Sequence, residues 1–336
     1  MKKYLLPNNT PKFKANLHCH SNISDGKLTP EEIKEAYKSR GYSIVAYTDH
    51  EILIPHPELA DEEFLPLNGY EYEIISPKKP DNPAHKLRKT CHMCLIALEP
   101  NNHYHVCWHG GLWGNAANYA SQAKIRENEP VHIRSYSGEG ISHVMQEARK
   151  AGFFVTYNHP VWSMEDMADI ANYHGMSAME IYNTGCVVAG WDDYNPTIYE
   201  AMLRRGEKLF CIAADDNHNG SGFNDSFGGF TMICADKLEY RTVTRAMEQG
   251  HFYASNGPLI EDLWFEDGQI HITCSPATAI TAHYGARKSR IRKADNALLC
   301  SASFPVAEDD IFVRIQVSDA GGRNADTNAY FVEDLL

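Results

Sequence analysis

Apolar and polar positions along the first 60 residues alternate between a strand period and a helix period. An apolar run ending in Leu17-His18-Cys19-His20 reads as a short strand. Thr29-Pro30-Glu31-Glu32 then supplies an N-cap, a first-turn proline and a capping-box acid, which predicts a helix to Arg40 with Gly41 as its stop. Residues 42–47 follow as a buried strand. The unit recurs: a helix over 141–151, stopped by Gly152, precedes a strand at 153–157, and a helical segment at 196–205, stopped by Gly206, precedes one at 208–213. Further strands are predicted at 65–71, 91–98 and 178–182. Such alternation implies an α/β fold on a parallel sheet, open or closed into a barrel.

After Gly250 the texture changes. Segments 260–274 and 310–318 read as strands separated by Gly, Asp, Asn and Ser turns, so residues 257–336 are expected to form a small all-β domain behind a 1–256 unit. Residues 99–137 fit neither period. An insertion rich in Asn, Gly and His is expected to be a lid or a solvated loop.

Composition narrows the classes. The chain has 336 residues, 43% hydrophobic and 22% charged, which excludes wholesale disorder. Its 31 Lys and Arg against 44 Asp and Glu give a net charge of −13, the wrong sign for a sequence-independent nucleic-acid binder. Nine cysteines include one C-x-x-C pair, Cys91 and Cys94, which are expected to be small buried hydrophobes. No signal peptide and no membrane span are expected, so the default is a cytoplasmic protein. Histidine stands out: there are 17, and histidine is the commonest metal ligand.

Those histidines have a pattern. His18 and His20, two apart in a strand, share a face. Asp25 follows in the next loop, His50 ends Thr48-Asp49-His50, Glu71 closes the third strand, His92 opens another, His159 ends Asn158-His159, and Asp216-x-His218 repeats the spacing after a later strand. Most fall at or just past strand ends, where barrel enzymes assemble their sites. Six histidines and three carboxylates are too many for one four-coordinate zinc and suit two or three divalent ions, Zn, Mn or Fe, with a bridging carboxylate. Glu71 and Glu73 point to one face, with Glu71 preferred. Asp25 is either a ligand or a turn residue before Gly26. Asp49 and Asp215 adjoin ligands and either orient an imidazole or end a strand in solvent.

The series His18-x-His20, Ser24-Asp25-Gly26, Thr48-Asp49-His50, Gly69-Tyr70-Glu71, Asn158-His159-Pro160 and Asp216-x-His218 resembles the motifs of the PHP (polymerase and histidinol phosphatase) superfamily over about residues 13–250. The run from Glu248 to Pro258, and the tail segment from Val313 to Arg323, resemble its two-domain, carbaryl-hydrolase-like branch. The resemblance implies a distorted (β/α)7 TIM-like barrel followed by a C-terminal β-sandwich. It further implies that His18, His20, Glu71 and Asp216 hold one ion, that Glu71 bridges to a second held with His92 and His159, and that Asp25, His50 and His218 hold a third.

The insertion carries His103, His105, Trp108, His109, Trp113, Lys124, Arg126, His132 and Arg134. As a lid it would bring Lys124 and Arg134 to a substrate anion. The expected function is a metal-dependent phosphoesterase acting on a small phosphate mono- or diester, with nucleic acid only as a short substrate. There a metal-bound hydroxide attacks phosphorus, and Asp49 or an insertion histidine protonates the leaving group. The alternatives are carboxylic ester, carbamate or amide hydrolysis on the same cluster, and a non-catalytic metal-binding module.

Overall fold

The computed structural model describes residues 2–77, 88–220, 222 and 224–336. The chain opens with β1 (Lys3–Tyr4) and β2 (Lys12–Asn16). Helix α1 (Pro30–Lys38) starts as its sequence dictates: the Thr29 hydroxyl accepts from the Glu32 amide and the Glu32 carboxylate from the Thr29 amide. It turns its Pro30, Ile33 and Tyr37 face inward, toward β3 (Ile44–Tyr47). Then come β4 (Leu65–Ile75), β5 (Thr90–Ala97), α2 (Gly138–Lys150), β6 (Phe153–Tyr157), α3 (Met167–Ile170), β7 (Ala178–Asn183), α4 (Thr184–Val188), α5 (Pro196–Arg204) and β8 (Phe210–Ala214).

Strands β2, β3 and β4 are parallel, as are β6, β7 and β8. The exception to the expected parallel sheet is β5, which is antiparallel to both neighbours, pairing Glu71 with Cys94 and Glu73 with His92 on one side and Met93 with Tyr157 on the other. A parallel crossover needs a dozen or more residues, usually a helix. The sequence of the 76–89 connection carries Pro77, Pro80 and Pro83, and proline disfavours a helix interior. Reversal matters for function, because it brings the start of β5, with His92, to the same end of the sheet as the C-terminal ends of its parallel neighbours. Beyond β2 and β8, Cys19 and Asn217 form a bridge: the His20 amide donates to Asn217 O and the Asp216 amide to His18 O. His18 and His20 thus lie past the regular strand, on extended backbone held by the far end of the series.

Antiparallel strands β9 (Phe230–Cys234) and β10 (Phe252–Ser255), with α6 (Tyr240–Glu248) between them, extend the sheet from β2. The tail consists of β11 (Ile260–Glu266), β12 (Gln269–Ala277), β13 (Ala279–Tyr284), β14 (Ser289–Lys293), β15 (Leu299–Pro305), β16 (Phe312–Ser318), β17 (Asn324–Thr327) and β18 (Tyr330–Phe331). It forms two antiparallel layers. One, β1-β11-β12-β15, takes its edge strand from the chain's first residues; the other joins the main sheet where β17 pairs with β10. Buried Arg314 of β16 ties the tail to α5, donating to Glu200 at 2.6 and 3.0 Å and to Asp326 at 2.7 Å. No helix among the described residues is long and apolar enough to cross a membrane.

Strand alternation sorts the core. On β4 and β5, Tyr70, Tyr72, Cys91, Met93 and Leu95 pack with α2 residues Val144 and Met145. The opposite face carries Leu67, Cys94 and Ile96 into an interior shared with Ala15, Leu17, Phe154 and Ile212. Glu71, Glu73 and His92 have the parity of that interior face, at its upper end. Cys91 and Cys94 are buried free thiols.

Candidate metal centre

Glu71, fully buried, is the hub. Its Oε1 lies 3.1 Å from His18 Nε2, 3.1 Å from His92 Nδ1 and 3.3 Å from His159 Nε2; its Oε2 lies 3.2 Å from His50 Nδ1 and 3.4 Å from His20 Nε2. Asp216 Oδ1 lies 3.1 Å from His18 Nε2 and 3.0 Å from His20 Nε2. Asp25 Oδ2 is 3.4 Å from His218 Nε2 and 3.8 Å from His50 Nε2. All nine sequence-predicted ligands converge. Their donor atoms group as His18, His20, Glu71 and Asp216; His50, Glu71 and His92; His20, Asp25, His50 and His218; and His18 and His159 with Glu180, each set within 4.8 Å. His50 and His20 thus each face two groups, and His159 stands between Glu71 and Asp216.

These residues fit divalent ions on a direct observation. His20 Nδ1, His50 Nδ1, Glu71 Oε2, His92 Nδ1 and Asp216 Oδ1 are buried without a hydrogen-bond partner among the described residues, although such groups are almost always satisfied in folded proteins. His50 Nδ1, Glu71 Oε2, His92 Nδ1 and Asp216 Oδ1 each lie 3.0–3.2 Å from another ligand atom of the cluster yet miss hydrogen-bond geometry, as lone pairs aimed at a common centre do.

The close packing of imidazoles and carboxylates sets the electrostatics of the cluster. Burial disfavours the Glu71 carboxylate, but the imidazoles of His18, His92 and His50 overcome it and hold the group well below the usual range. Burial likewise opposes protonation of His20, yet the adjacent Asp216 and Glu71 carboxylates raise it to about 10. His50 goes the other way, lowered by burial and then by the His20 charge.

Local backbone is shaped to the site. His159 (φ +27°) and Asp216 (φ +53°) occupy the left-handed region despite their side chains. A Cβ on Gly26 would meet His20 O at 2.4 Å, and one on Gly185 would meet Asp216 O at 2.9 Å, so glycine is required at both. Asp215 and Asn217 pin the Asp216 peptide from either side. Asp215 accepts from Tyr37, Thr184 and the amides of 227–229, and Asn217 accepts from Asn16 with its Oδ1 2.8 Å from the Tyr37 hydroxyl.

Three residues expected at the chemistry are placed elsewhere. Asp49 is buried and accepts four hydrogen bonds from Ser21 and Ser24 at 2.7–3.2 Å, which anchors the loop leading to Asp25 and occupies both carboxylate oxygens. Arg134 reaches the site wall but spends its charge on buried Glu51 (2.6 Å) and donates to Glu73 O. Exposed Lys124 sits beside His103 (3.3 Å). Neither cation lines the cavity.

Pattern reading missed several residues. Glu180 on β7, fully buried, accepts or shares a proton with His18 Nδ1 at 2.7 Å and accepts from the amide of His159 and from Asn183. A carboxylate within the apolar run Ala178-Met179-Glu180-Ile181 was the available signal. Asp225 accepts from the amides of His218 and Asn219, and Asp193 from those of Val161 and Trp162. No local pattern announces these.

Above the cluster is a cavity of about 380 Å3 walled by Asp25, Glu73, Trp113, Trp162, Cys186, Ala189 and Asp225. Trp113, from the insertion, packs on His50 with ring centroids 4.6 Å apart, and Trp162 lies 5.0 Å from His159. Trp113 is the one insertion residue lining this cavity among the described residues. Parts of the insertion dock beside the site: Leu112 and Ala116 pack on Ile23 and Ile52, and His109 meets Glu51 at 2.8 Å.

No protein-family model matches the sequence, and no curated protein matches it. Among solved structures, the chain is similar to a two-domain protein from Bacteroides vulgatus containing a predicted PHP-like metal-dependent phosphoesterase, at 13% identity and TM-score 0.44 over 98% of both chains. It is also similar to a predicted metal-dependent phosphoesterase from Bifidobacterium adolescentis, at 16% identity and TM-score 0.37 over 64% of this chain and 92% of that one. A third is an amidohydrolase from Chromobacterium violaceum with bound sulfate and no metal, at 16% identity and TM-score 0.34 over 61% and 87%. None reaches a TM-score of 0.5, so the site has to be read from its own residues.

Proposed function

We propose that this chain is a metal-dependent hydrolase of the PHP type that cleaves a small phosphate mono- or diester. The observation that carries the reading is the set of five buried, unpartnered donor atoms converging around Glu71. His18, His20, Glu71 and Asp216 would hold one ion, Glu71 with His92 and His159 a second, and Asp25, His50 and His218 a third. Bound ions of this kind supply Lewis acidity, making water acidic enough to ionise near neutral pH and neutralising charge on the scissile group. The protein's part is positioning. Glu180 fixes the His18 ring and the His159 backbone, Asp49 holds the Asp25 loop, and Trp113 and Trp162 offer aromatic faces to an apolar or aryl leaving group. In this reading β2 to β8 form the distorted (β/α)7 barrel and residues 257–336 the β-sandwich of the two-domain branch.

A second reading, hydrolysis of a carboxylic ester, carbamate or amide, is favoured by one observation: among the described residues the cavity wall includes no Lys or Arg. Turnover of aryl phosphate mono- and diesters against aryl acetates and carbamates, by protein loaded with Mn2+, Zn2+ or Fe2+, decides between them. Phosphoester turnover lost in His20→Ala and Asp216→Ala together with metal content is the expected result. Faster turnover of the carboxylic substrates establishes the second reading, and no turnover in either panel leaves a metal-binding module.

A further inference from the structure

Outside the Glu71 cluster, a second group of metal-ligating side chains lies on the far side of the insertion. Cys107 and His132 come from the insertion and His143 from the exposed face of α2, and their Sγ and ring nitrogen atoms all lie within 4.8 Å of one another. The two imidazoles stack, centroids 5.6 Å apart and 21° between planes. They open onto a cavity of about 530 Å3 that Arg126, Glu129 and Glu147 also line. Glu147 is one helical turn after His143, on the same face of α2. No residue here is shared with the Glu71 cluster.

The backbone brings these donors together from separate segments. Cys107 adopts φ +51°, a conformation that a side chain disfavours, and its carbonyl is held by the Tyr72 hydroxyl at 3.0 Å. The His132 amide donates to Trp108 O, joining the two arms of the insertion one residue away from Cys107. The site therefore joins three points of the chain: the start of the insertion, its end, and α2.

We propose that Cys107, His132 and His143 form a separate transition-metal site, suited to Zn2+, that staples the insertion to α2. One soft thiolate with two imidazoles selects zinc, cobalt or copper over magnesium, calcium or manganese. Three protein ligands leave a fourth tetrahedral position for water or Glu147. Its role is structural: it fixes the segment that carries Trp113 to the mouth of the main cavity. The site does not depend on the hydrolase reading.

The chemistry separates the two centres in one spectrum. Every ligand of the Glu71 cluster is nitrogen or oxygen, so a thiolate-to-cobalt charge-transfer band can come only from a cysteine site. Full-length protein stripped with chelator and titrated with Co2+ should develop that band at one equivalent per chain. Cys107→Ser and His143→Ala should each abolish the band and lower zinc content by one equivalent per chain. His143 is exposed, so its replacement leaves the fold intact and its result stands even if the Cys107 variant misfolds. In His20→Ala the band should persist while other metal is lost. Absence of the band in the parent protein, or its survival in Cys107→Ser, overturns the proposal.

Discussion

His105 offers the sharpest test of how the insertion is held. The ring is buried, its Nε2 accepts from the Leu53 amide at 3.0 Å and its Nδ1 faces Lys124 O at 3.1 Å, so the neutral tautomer protonated at Nδ1 satisfies both neighbours. A second proton on Nε2 would confront the Leu53 N–H. Burial, the main cause, lowers this histidine from 6.5 to about 4. The sign follows from linkage. Above 6.5 both folded and unfolded chains carry a neutral ring and stability is full; as pH falls toward 4 the unfolded chain takes a proton that the folded chain refuses. A gap of roughly two and a half pH units corresponds to at most about 3 kcal/mol, lost between pH 6.5 and 4. Urea unfolding of the parent and of His105→Gln, each at pH 7 and at pH 4.5, isolates this loss, because all other titrations are common to both. The parent should lose about 2–3 kcal/mol more than the variant over that interval. Equal losses would show that His105 is not the neutral clamp described.

Other expectations follow from the same geometry. Glu180→Gln keeps volume but removes the charge behind His18 and should weaken metal binding about 10- to 100-fold by competition titration, with little change in melting temperature; unchanged affinity would remove Glu180 from the site. Arg314→Ala leaves Glu200 and Asp326 facing each other across the α5 interface and should cost about 3–5 kcal/mol, with Arg314→Met costing markedly less; denaturant midpoints check both. Trp113→Ala should raise KM for aryl substrates about tenfold, roughly the value of one lost aromatic contact, while kcat moves little. An equal fall in kcat would place Trp113 in the chemistry instead.

The sequence made the units legible where local chemistry is decisive. Thr29-Pro30-Glu31-Glu32 writes its own helix start, and the i, i+2 spacing of His18 with His20 survives in space because extended backbone preserves parity even beyond the regular strand. Strand direction was another matter. Nothing in Cys91-His92-Met93-Cys94 says that β5 runs backwards; only the proline-rich connection before it bears on that, and the consequence is that a histidine opening a strand joins residues closing others. The cationic insertion residues misled for a related reason. Charge is visible in a sequence, but its partner is not: Glu51, which neutralises Arg134 and meets His109, lies about 80 residues upstream of the arginine. Asp49 shows the same limit, since its neighbour His50 suggested chemistry while Ser21 and Ser24, which occupy its oxygens, lie in another loop.

Charge at the cavity links metal content to substrate class. Asp25, Glu71, Glu73, Asp216 and Asp225 line it, five carboxylates with no Lys or Arg among the described lining residues. With neutral imidazoles as ligands, two divalent ions would leave this wall at a net −1 and three would bring it to +1. A phosphate monoester dianion therefore has an electrostatic reason to require the third position, built from Asp25, His50 and His218, whereas an uncharged ester or carbamate needs only the pair around Glu71. Asp25→Ala separates the cases. If the substrate is a phosphoester, the variant should lose phosphoester turnover far more steeply than any residual activity on neutral esters, and the loss should track one equivalent of metal lost from the Glu71 cluster, measured by elemental analysis in a Cys107→Ser background. Full phosphoester turnover with two ions in the Glu71 cluster would mean that the anion is accommodated without the third ion, and this electrostatic reasoning would fail.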